Sequence, residues 1–176
     1  MRNLITYEDI TLLARPCSAD EEMANAMIAE AQREDLKRQL GDSLYLEVLA
    51  DNPAEKYSVL INGGEWSDCS GRRHYLVGLK TALAYYVYAR IVRDGNIQAT
   101  RYGSRVKDDD NSSEAYNAEL QRQYREAFAS ADLYMGEAVA YVKANRRLFP
   151  EYPCDEPKMK SNRVQLRIIG AGQKQR

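Results

Sequence analysis

The only histidine of this 176-residue chain, His74, stands beside Arg72 and Arg73. An imidazole can serve as a general base when a serine or cysteine nucleophile and an orienting acid are arranged around it. No such partners are discernible in the neighbouring sequence, so a satisfied or solvent-facing side chain is expected. Cys17, Cys69 and Cys154 are odd in number, far apart and without CxxC spacing. They suggest neither a disulfide framework nor a zinc site. Asp108, Asp109 and Asp110 carry the oxygen ligands a divalent cation needs. Adjacent acids in a loop rich in Ser and Asn read better as a solvated turn. Asn62-Gly63-Gly64 lacks the spaced glycines and the lysine-hydroxyl pair of a phosphate cradle, and reads as a tight turn. The expectation is a protein that is not an enzyme, with no catalytic residue, no cofactor and no metal.

Composition turns attention to surfaces. The chain is 44% hydrophobic and 29% charged, with a net charge of −1, which suits one domain with a real core and gives no global attraction to nucleic acid or anionic lipid. Thirteen tyrosines accompany only two phenylalanines. Tyrosine combines contact area with a wet end, which fits an assembly surface better than a dry core. Trp66, the single tryptophan, fits either a plug in the bundle or an interface anchor. From Lys158 to Arg176 there are six basic residues (Lys158, Lys160, Arg163, Arg167, Lys174, Arg176) and no acid. No stretch has the roughly 20 apolar residues of a membrane span, and Met1-Arg2-Asn3-Leu4 is not followed by a signal-peptide core. A cytoplasmic protein without membrane contact is expected.

The elements follow from periodicity. Tyr7 to Ala14 is a short helix capped by Thr6 and ended by Arg15-Pro16. Ser18 opens a capping box, Ser18-Ala19-Asp20-Glu21, for a longer helix whose apolar face runs through Met23, Met27, Ala31, Leu36, Leu40, Leu44 and Val48. Gly41-Asp42 should break or kink it, and Glu30, Glu34, Asp35, Arg33, Lys37 and Arg38 mark its wet face. Residues 51–70 read as a loop with a short strand at Tyr57 to Ile61. Gly71 opens the stretch on which the fold centres, a helix with Leu76, Leu79, Leu83, Val87 and Arg90-Ile91 on one face and Tyr75, Ala82, Tyr86 and Ala89 beside it. Asp94-Gly95-Asn96 stops it. An arm follows, in which Ile97 to Gly103 alternate like a strand. Ser112-Ser113-Glu114 then opens a last helix reaching about Leu148, with a seam of Leu120, Tyr124, Phe128, Ala131, Met135, Ala138 and Val142. Pro150 and Pro153 end it. In the tail, Val164, Leu166 and Ile168 alternate with Gln165 and Arg167, and a strand without an edge to pair with is unstable in water.

The order of these elements resembles a known family. Ala31-Gln32, then Leu40-Gly41-Asp42-Ser43-Leu44-Tyr45, then the tyrosine-rich helix continuing into Asn96-Ile97-Gln98-Ala99-Thr100-Arg101-Tyr102-Gly103 and Lys107, are similar to the small α-helical head-to-tail connector (adaptor, or neck ring) proteins of tailed phages. The likeness is to the kind found in phages and prophages of Bacteroides-type hosts, over roughly residues 20–148. It implies a structural virion protein forming a ring, commonly of about twelve copies, that grips the portal protein and the next neck or tail protein. DNA would pass through the ring with transient contact, and the subunit would sit in the neck of the virion after assembly in the host cytoplasm. The segment after Pro153 has no counterpart in that pattern.

Together these readings predict a mainly α protein: a bundle of about four helices over residues 1–150, an extended loop or short β-hairpin arm at 96–112, and an extended basic arm at 151–176. The arms should carry the partner-binding residues, namely Gln98, Thr100, Arg101, Tyr102 and Lys107 in the first, and Arg163, Val164, Leu166, Arg167 and Ile168 in the second. The alternative is a small helical nucleic-acid-binding protein, for which the basic tail speaks.

Overall fold

The computed structural model describes residues 2–17, 19–95, 97–100, 103–106 and 116–153, with backbone alone for 97–100, 103–106, 116 and 117. Helix α1 (Tyr7–Leu13) has the expected start: Thr6 accepts from the Asp9 amide while the Asp9 carboxylate accepts from the Thr6 amide. Helix α2 (Glu21–Ala31) is capped by Asp20, whose carboxylate accepts from the Met23 amide. The cap falls two residues after the expected one at Ser18, which itself lies outside the described residues.

Helix α2 runs on through a wide π turn, Gln32–Leu36, into α3 (Lys37–Val48). The reason is in the spacing. Ala24, Ile28, Gln32, Leu36, Leu40, Leu44 and Val48 are all buried and step by four. On a straight α-helix each such step over-rotates by roughly 40°, so the stripe would spiral off the core. A π turn holds more residues per turn and takes up the drift. Gly41, at φ 75° and ψ 161°, then breaks the regular geometry and re-aims the rest of the rod. The buried face passes through Ala24 and Ile28, with Met23 and Met27 flanking it half-buried.

Two stretches exchange their expected structures. Tyr57 to Ile61 is helical, a 3-10 turn (Glu55–Tyr57) leading into α4 (Ser58–Asn62), because Tyr57, Leu60 and Ile61 reach the core at helical spacing. The expected start of the central helix is instead a strand. β1 (Gly64–Ser67) pairs antiparallel with β2 (Arg73–Leu76), so Tyr75 is 70% exposed and only Leu76 turns inward. The hairpin leaves and rejoins the bundle through a neck of two glycines. Gly63 (φ 86°) and Gly78 (φ 99°) both take the left-handed conformation, and a Cβ on Gly63 would stand 2.5 Å from the Val77 carbonyl oxygen.

The central helix, α5 (Leu79–Asp94), begins after that neck and is buried at Leu79, Ala82, Leu83, Ala84 and every position from Tyr86 to Ile91. It packs on α1, α2, α4 and most extensively on α6 (Tyr116–Ala144). On α6 the buried positions are Ala127, Ala131, Met135, Ala138, Tyr141 and Val142, whereas Phe128, Tyr124 and Leu120 are half-buried at its edge. Small residues at the centre of the seam let the two helices approach closely, and the rings are displaced to its rim. Between α5 and α6 lies a second hairpin, β3 (Ile97–Thr100) with β4 (Gly103–Val106), in register Gln98↔Arg105 and Thr100↔Gly103.

Leu83 is fully enclosed between these helices. Leu83→Ala should cost roughly 2–5 kcal/mol by lost transfer energy and the cavity left behind. Chemical denaturation with a midpoint equal to the parent's would show the helix pairing to be wrong.

Candidate functional site

The strongest concentration of buried charge joins Arg90, expected on the apolar face of the central helix, to the expected wet face of the rod, where Glu30 and Glu34 are exposed and Asp35 alone is drawn partly inward. Arg90 lies on the inner face of α5 and is only 6% exposed. Its guanidinium meets three carboxylates: Nε donates to Glu30 at 3.4 Å, Nη2 donates to Glu34 at 2.9 Å, and Nη1 stands 2.7 Å from Asp35 Oδ2. These acids sit at i, i+4 and i+5, a spacing that the π turn brings to one point. The contact to Asp35 is ionic but not aligned as a hydrogen bond, so that oxygen is buried with a charge opposite it and no directed donor.

Burial pushes the Asp35 carboxyl up despite Arg90, with the Glu34 and Asp132 charges adding to the rise. Arg90 is also held above its usual value: burial opposes its charge, but Asp35, Glu34 and Glu30 more than compensate. The two directions agree once the charges are counted. One guanidinium serves three acids, so the arginine is over-provided and Asp35 is under-provided.

Beside this cluster is a half-open cleft of about 320 Å³, lined by Asp35, Arg38 and Gln39 from the rod, Tyr86 from α5, and Phe128, Asp132, Met135, Gly136 and Val139 from α6. In its floor the Tyr86 hydroxyl donates to Asp132 Oδ1 at 2.6 Å. Burial drives the Tyr86 phenol far above its ordinary range, and the Asp132 and Asp35 charges act the same way, so it stays a neutral donor. The cleft thus sets two carboxylates and a phenol against an apolar α6 wall. A nucleophile with its own base is not formed there.

The β1–β2 hairpin holds the second polar centre. Asp68 accepts from the Ser70 hydroxyl at 2.6 Å, the Ser70 and Arg72 amides at 2.9 Å and Arg72 Nε at 3.0 Å, and lies 3.3 Å from His74 Nε2. The Ser70 hydroxyl and the Arg72 amide hold its carboxyl well below the usual range. His74 stacks on Trp66 at 4.6 Å between centroids, and Trp66 meets the Tyr141 edge at 5.1 Å. Trp66 therefore ties the hairpin to α6, and His74 is a structural residue of the strand, not the start of a helix. Arg73 pairs with Glu65 and Arg72 with Asp68, which neutralises the hairpin's guanidinium groups.

Of the residues expected to bind partners, Gln98 and Thr100 fall on β3. Arg101, Tyr102, Lys107, Arg163, Val164, Leu166, Arg167 and Ile168, like Asp108 to Asp110 and the expected helix start at Ser112, lie outside the described residues. Among the described residues no three His, Cys, Asp or Glu side chains are grouped to hold a metal ion, and no helix is long and apolar enough to cross a membrane. The Arg90 cluster was missed although a signal existed. An arginine on an otherwise apolar helical face must find acids, and Glu30, Glu34 and Asp35 lie together on the one long helical rod expected to pack against it.

Arg90→Ala should cost roughly 3 kcal/mol. That is the low end for breaking a buried pair, because Glu30 and Glu34 are half in water and only Asp35 is stranded. Arg90→Met should recover part of the loss by filling the space, and thermal melts of the two variants decide it. Asp68 makes a prediction with pH. Its folded-state pKa is lowered, so its contribution is present above the unfolded value and lost as pH falls through the folded one. The gap in Tm between the parent and Asp68→Ala should be full at neutral pH and narrow below about pH 4. A constant gap would mean that the carboxylate charge does not matter to the hairpin.

A family model described as a family of unknown function, DUF6712, matches residues 36–162. The match takes in α3, both hairpins, α5 and α6, including Arg90 and the α6 wall of the cleft. No curated protein and no solved structure matches the chain. With most of its length under that model, the chain belongs to the DUF6712 family.

Proposed function

We propose that this protein is a structural subunit of a closed ring, a head-to-tail connector of a tailed phage, joining the portal to the next neck or tail protein around the DNA path. The observation that carries this reading is the β3–β4 hairpin. It interrupts the chain between the two most closely packed helices, and neither of its outer edges pairs with another strand among the described residues. Open edges invite another chain. The β1–β2 hairpin has the same property at the neck of α5.

Two further features support it. The likeness of Leu40-Gly41-Asp42-Ser43-Leu44-Tyr45 and of the Asn96 to Gly103 run to connector proteins supplies the identity of the ring. Charge supplies a reason for head-to-tail contact. Residues 1–70 carry 14 acids and 6 bases, while residues 71–176 carry 12 acids and 19 bases, so the two parts have net charges of −8 and +7. A heterologous ring joins two different surfaces of each subunit, and a chain whose charge is divided in this way along its length suits contact between unlike surfaces better than a face-to-face dimer.

The expected behaviour is concentration-dependent assembly of the purified chain into a ring, commonly of about twelve copies. Deleting residues 98–110 should leave a folded monomer with an unchanged helical spectrum that fails to assemble. Sedimentation velocity reads both. Normal rings from the deletion, or a parent that stays monomeric at every concentration and binds DNA tightly instead, would overturn the reading in favour of a nucleic-acid-binding protein.

A further inference from the structure

Helices α5 and α6 run antiparallel: Tyr85 meets Tyr134, Tyr86 meets Phe128, and the Arg93 guanidinium lies 5.5 Å from the centre of the Tyr124 ring. One end of the bundle therefore holds the end of α5 with the first half of α6, and the other holds the start of α5 with the last turn of α6. The chain leading into α2 belongs to the first end. Arg15 reaches Glu126 of α6 at 4.0 Å, and the Tyr7 hydroxyl donates to the Cys17 carbonyl and accepts from the Ala19 amide, each at 3.3 Å. Around that contact Glu8, Asp20, Glu21 and Glu22 are exposed. Residues 6–27 carry five acids and one base, Arg15, which is turned to Glu126, so this end is acidic. Leu12, exposed one turn after Glu8, shares its face of α1.

The other end is basic. Just past Tyr141, on which the β1–β2 hairpin docks through Trp66, the side chains of Lys143, Arg146 and Arg147 are exposed, and Leu148 is exposed beside them. Residues 138–149 contain no acid. Glu65 and Asp68 of the docked hairpin and Glu151 of the turn after α6 are engaged by Arg73, Arg72 and Lys56. Glu55, exposed beside Lys56, subtracts one charge and leaves this end positive. Lys143 stands 17 residues beyond Glu126 on α6, roughly 25 Å along its axis. The rod runs the same way: Glu30 meets Arg90, and further on Gly41 lies against the Pro153 ring, so Glu21 and Glu22 sit at the far side from the basic end.

We infer that the acidic end of one copy docks on the basic end of the next, Glu21 and Glu22 against Lys143 and Arg147, with Leu12 and Leu148 covered in the same contact. This rests on the ring reading and names the two surfaces that meet in it. Each surface has its complement at the opposite end of the same molecule, which is what a heterologous contact requires. A second copy fits better than nucleic acid, because each end sets an exposed leucine beside its charges and phosphates gain nothing from apolar area.

Carbodiimide coupling, which joins a carboxylate to an ammonium group in direct contact, and charge reversal test it on the full chain. Equal amounts of isotopically light and heavy chains are mixed, coupled where the parent assembles and mapped by mass spectrometry, with Lys56 and Glu151, 2.6 Å apart, as the internal control. The expected links join Lys143 to Glu21 or Glu22 and include light–heavy pairs. Glu21→Lys with Glu22→Lys, or Lys143→Glu with Arg147→Glu, should each raise the concentration needed for assembly about tenfold or more. An equal mixture of the two reversed chains should regain assembly, because each offers the charge the other now lacks, and a folding defect could not be repaired in this way. Reversed chains that assemble like the parent, a mixture that does not recover, or control links without any from Lys143 would overturn the inference and leave the ring reading standing. A parent that never assembles would overturn both, and DNA binding lost with Lys143→Glu and Arg147→Glu would then assign the basic end to phosphate.

Discussion

Helix α5 cannot be placed anywhere but the centre. Ten of its sixteen residues are buried, on all sides, and each large apolar side chain so enclosed contributes roughly 1.5–3 kcal/mol. The other helices are arranged by what that helix needs to have covered. Helix α6 lays its run of alanines and Met135 along one flank, and α1 and α2 cover others. Arg90 is the cost of this position, because a guanidinium that close to the axis must be neutralised where it lies. The rod supplies three acids at that point and nowhere else, so the ion cluster fixes where along α5 the rod must sit. Hydrophobic burial alone would tolerate slippage of a turn more readily than this cluster does.

The same demand explains the irregular rod. Seven buried residues at intervals of four cannot stay on one face of a regular helix, and the chain meets the mismatch with one wide turn and one glycine break. The wide turn falls where Glu34 and Asp35 must both point toward Arg90. Gln32, at the same turn, is buried and uses its amide on the N-terminal segment: Oε1 accepts from the Leu4 amide at 2.5 Å and Nε2 donates to the Arg2 carbonyl at 3.4 Å. One local irregularity therefore serves the apolar stripe, the ion cluster and the anchoring of the N-terminus.

How far the sequence shows this depends on whether a signal is local. The Thr6 cap, the stop at Arg15-Pro16, the break at Gly41, the end of α5 and the hairpin after Asn96 are written in a few adjacent residues, and each is read correctly from them. The mainly helical class follows from long apolar periods. The first hairpin was hidden because Gly71 to Leu76 continues the helical spacing of Leu79 and Leu83, and nothing local says that Gly78 adopts a φ only glycine tolerates easily. Tyr57 to Ile61 misleads for the opposite reason, since a short apolar run fits strand and helix alike, and its tertiary partners decide. The candidate site was the least legible part. Arg90 is 56 residues from Glu34, Tyr86 is 46 from Asp132, and no periodicity links such pairs.

The balance between an assembly subunit and a nucleic-acid binder turns on where positive charge is free. Phosphate recognition requires guanidinium or ammonium groups that can leave water for the backbone of the nucleic acid. On the β1–β2 hairpin, Arg72 and Arg73 face solvent but are each engaged by an acid of the same hairpin. On α6, Arg122 is held by Glu119 and Glu126. Arg90 is buried. The positive charge at these positions is therefore paired, and paired charges orient one protein face against another more readily than they collect phosphates. The exposed side chains Tyr75 and Leu133 lie on β2 and α6, elements that also carry such pairs. Apolar contact area among satisfied ions is a composition suited to an interface that excludes water, and it is in this sense that it favours the proposed ring over the nucleic-acid binder.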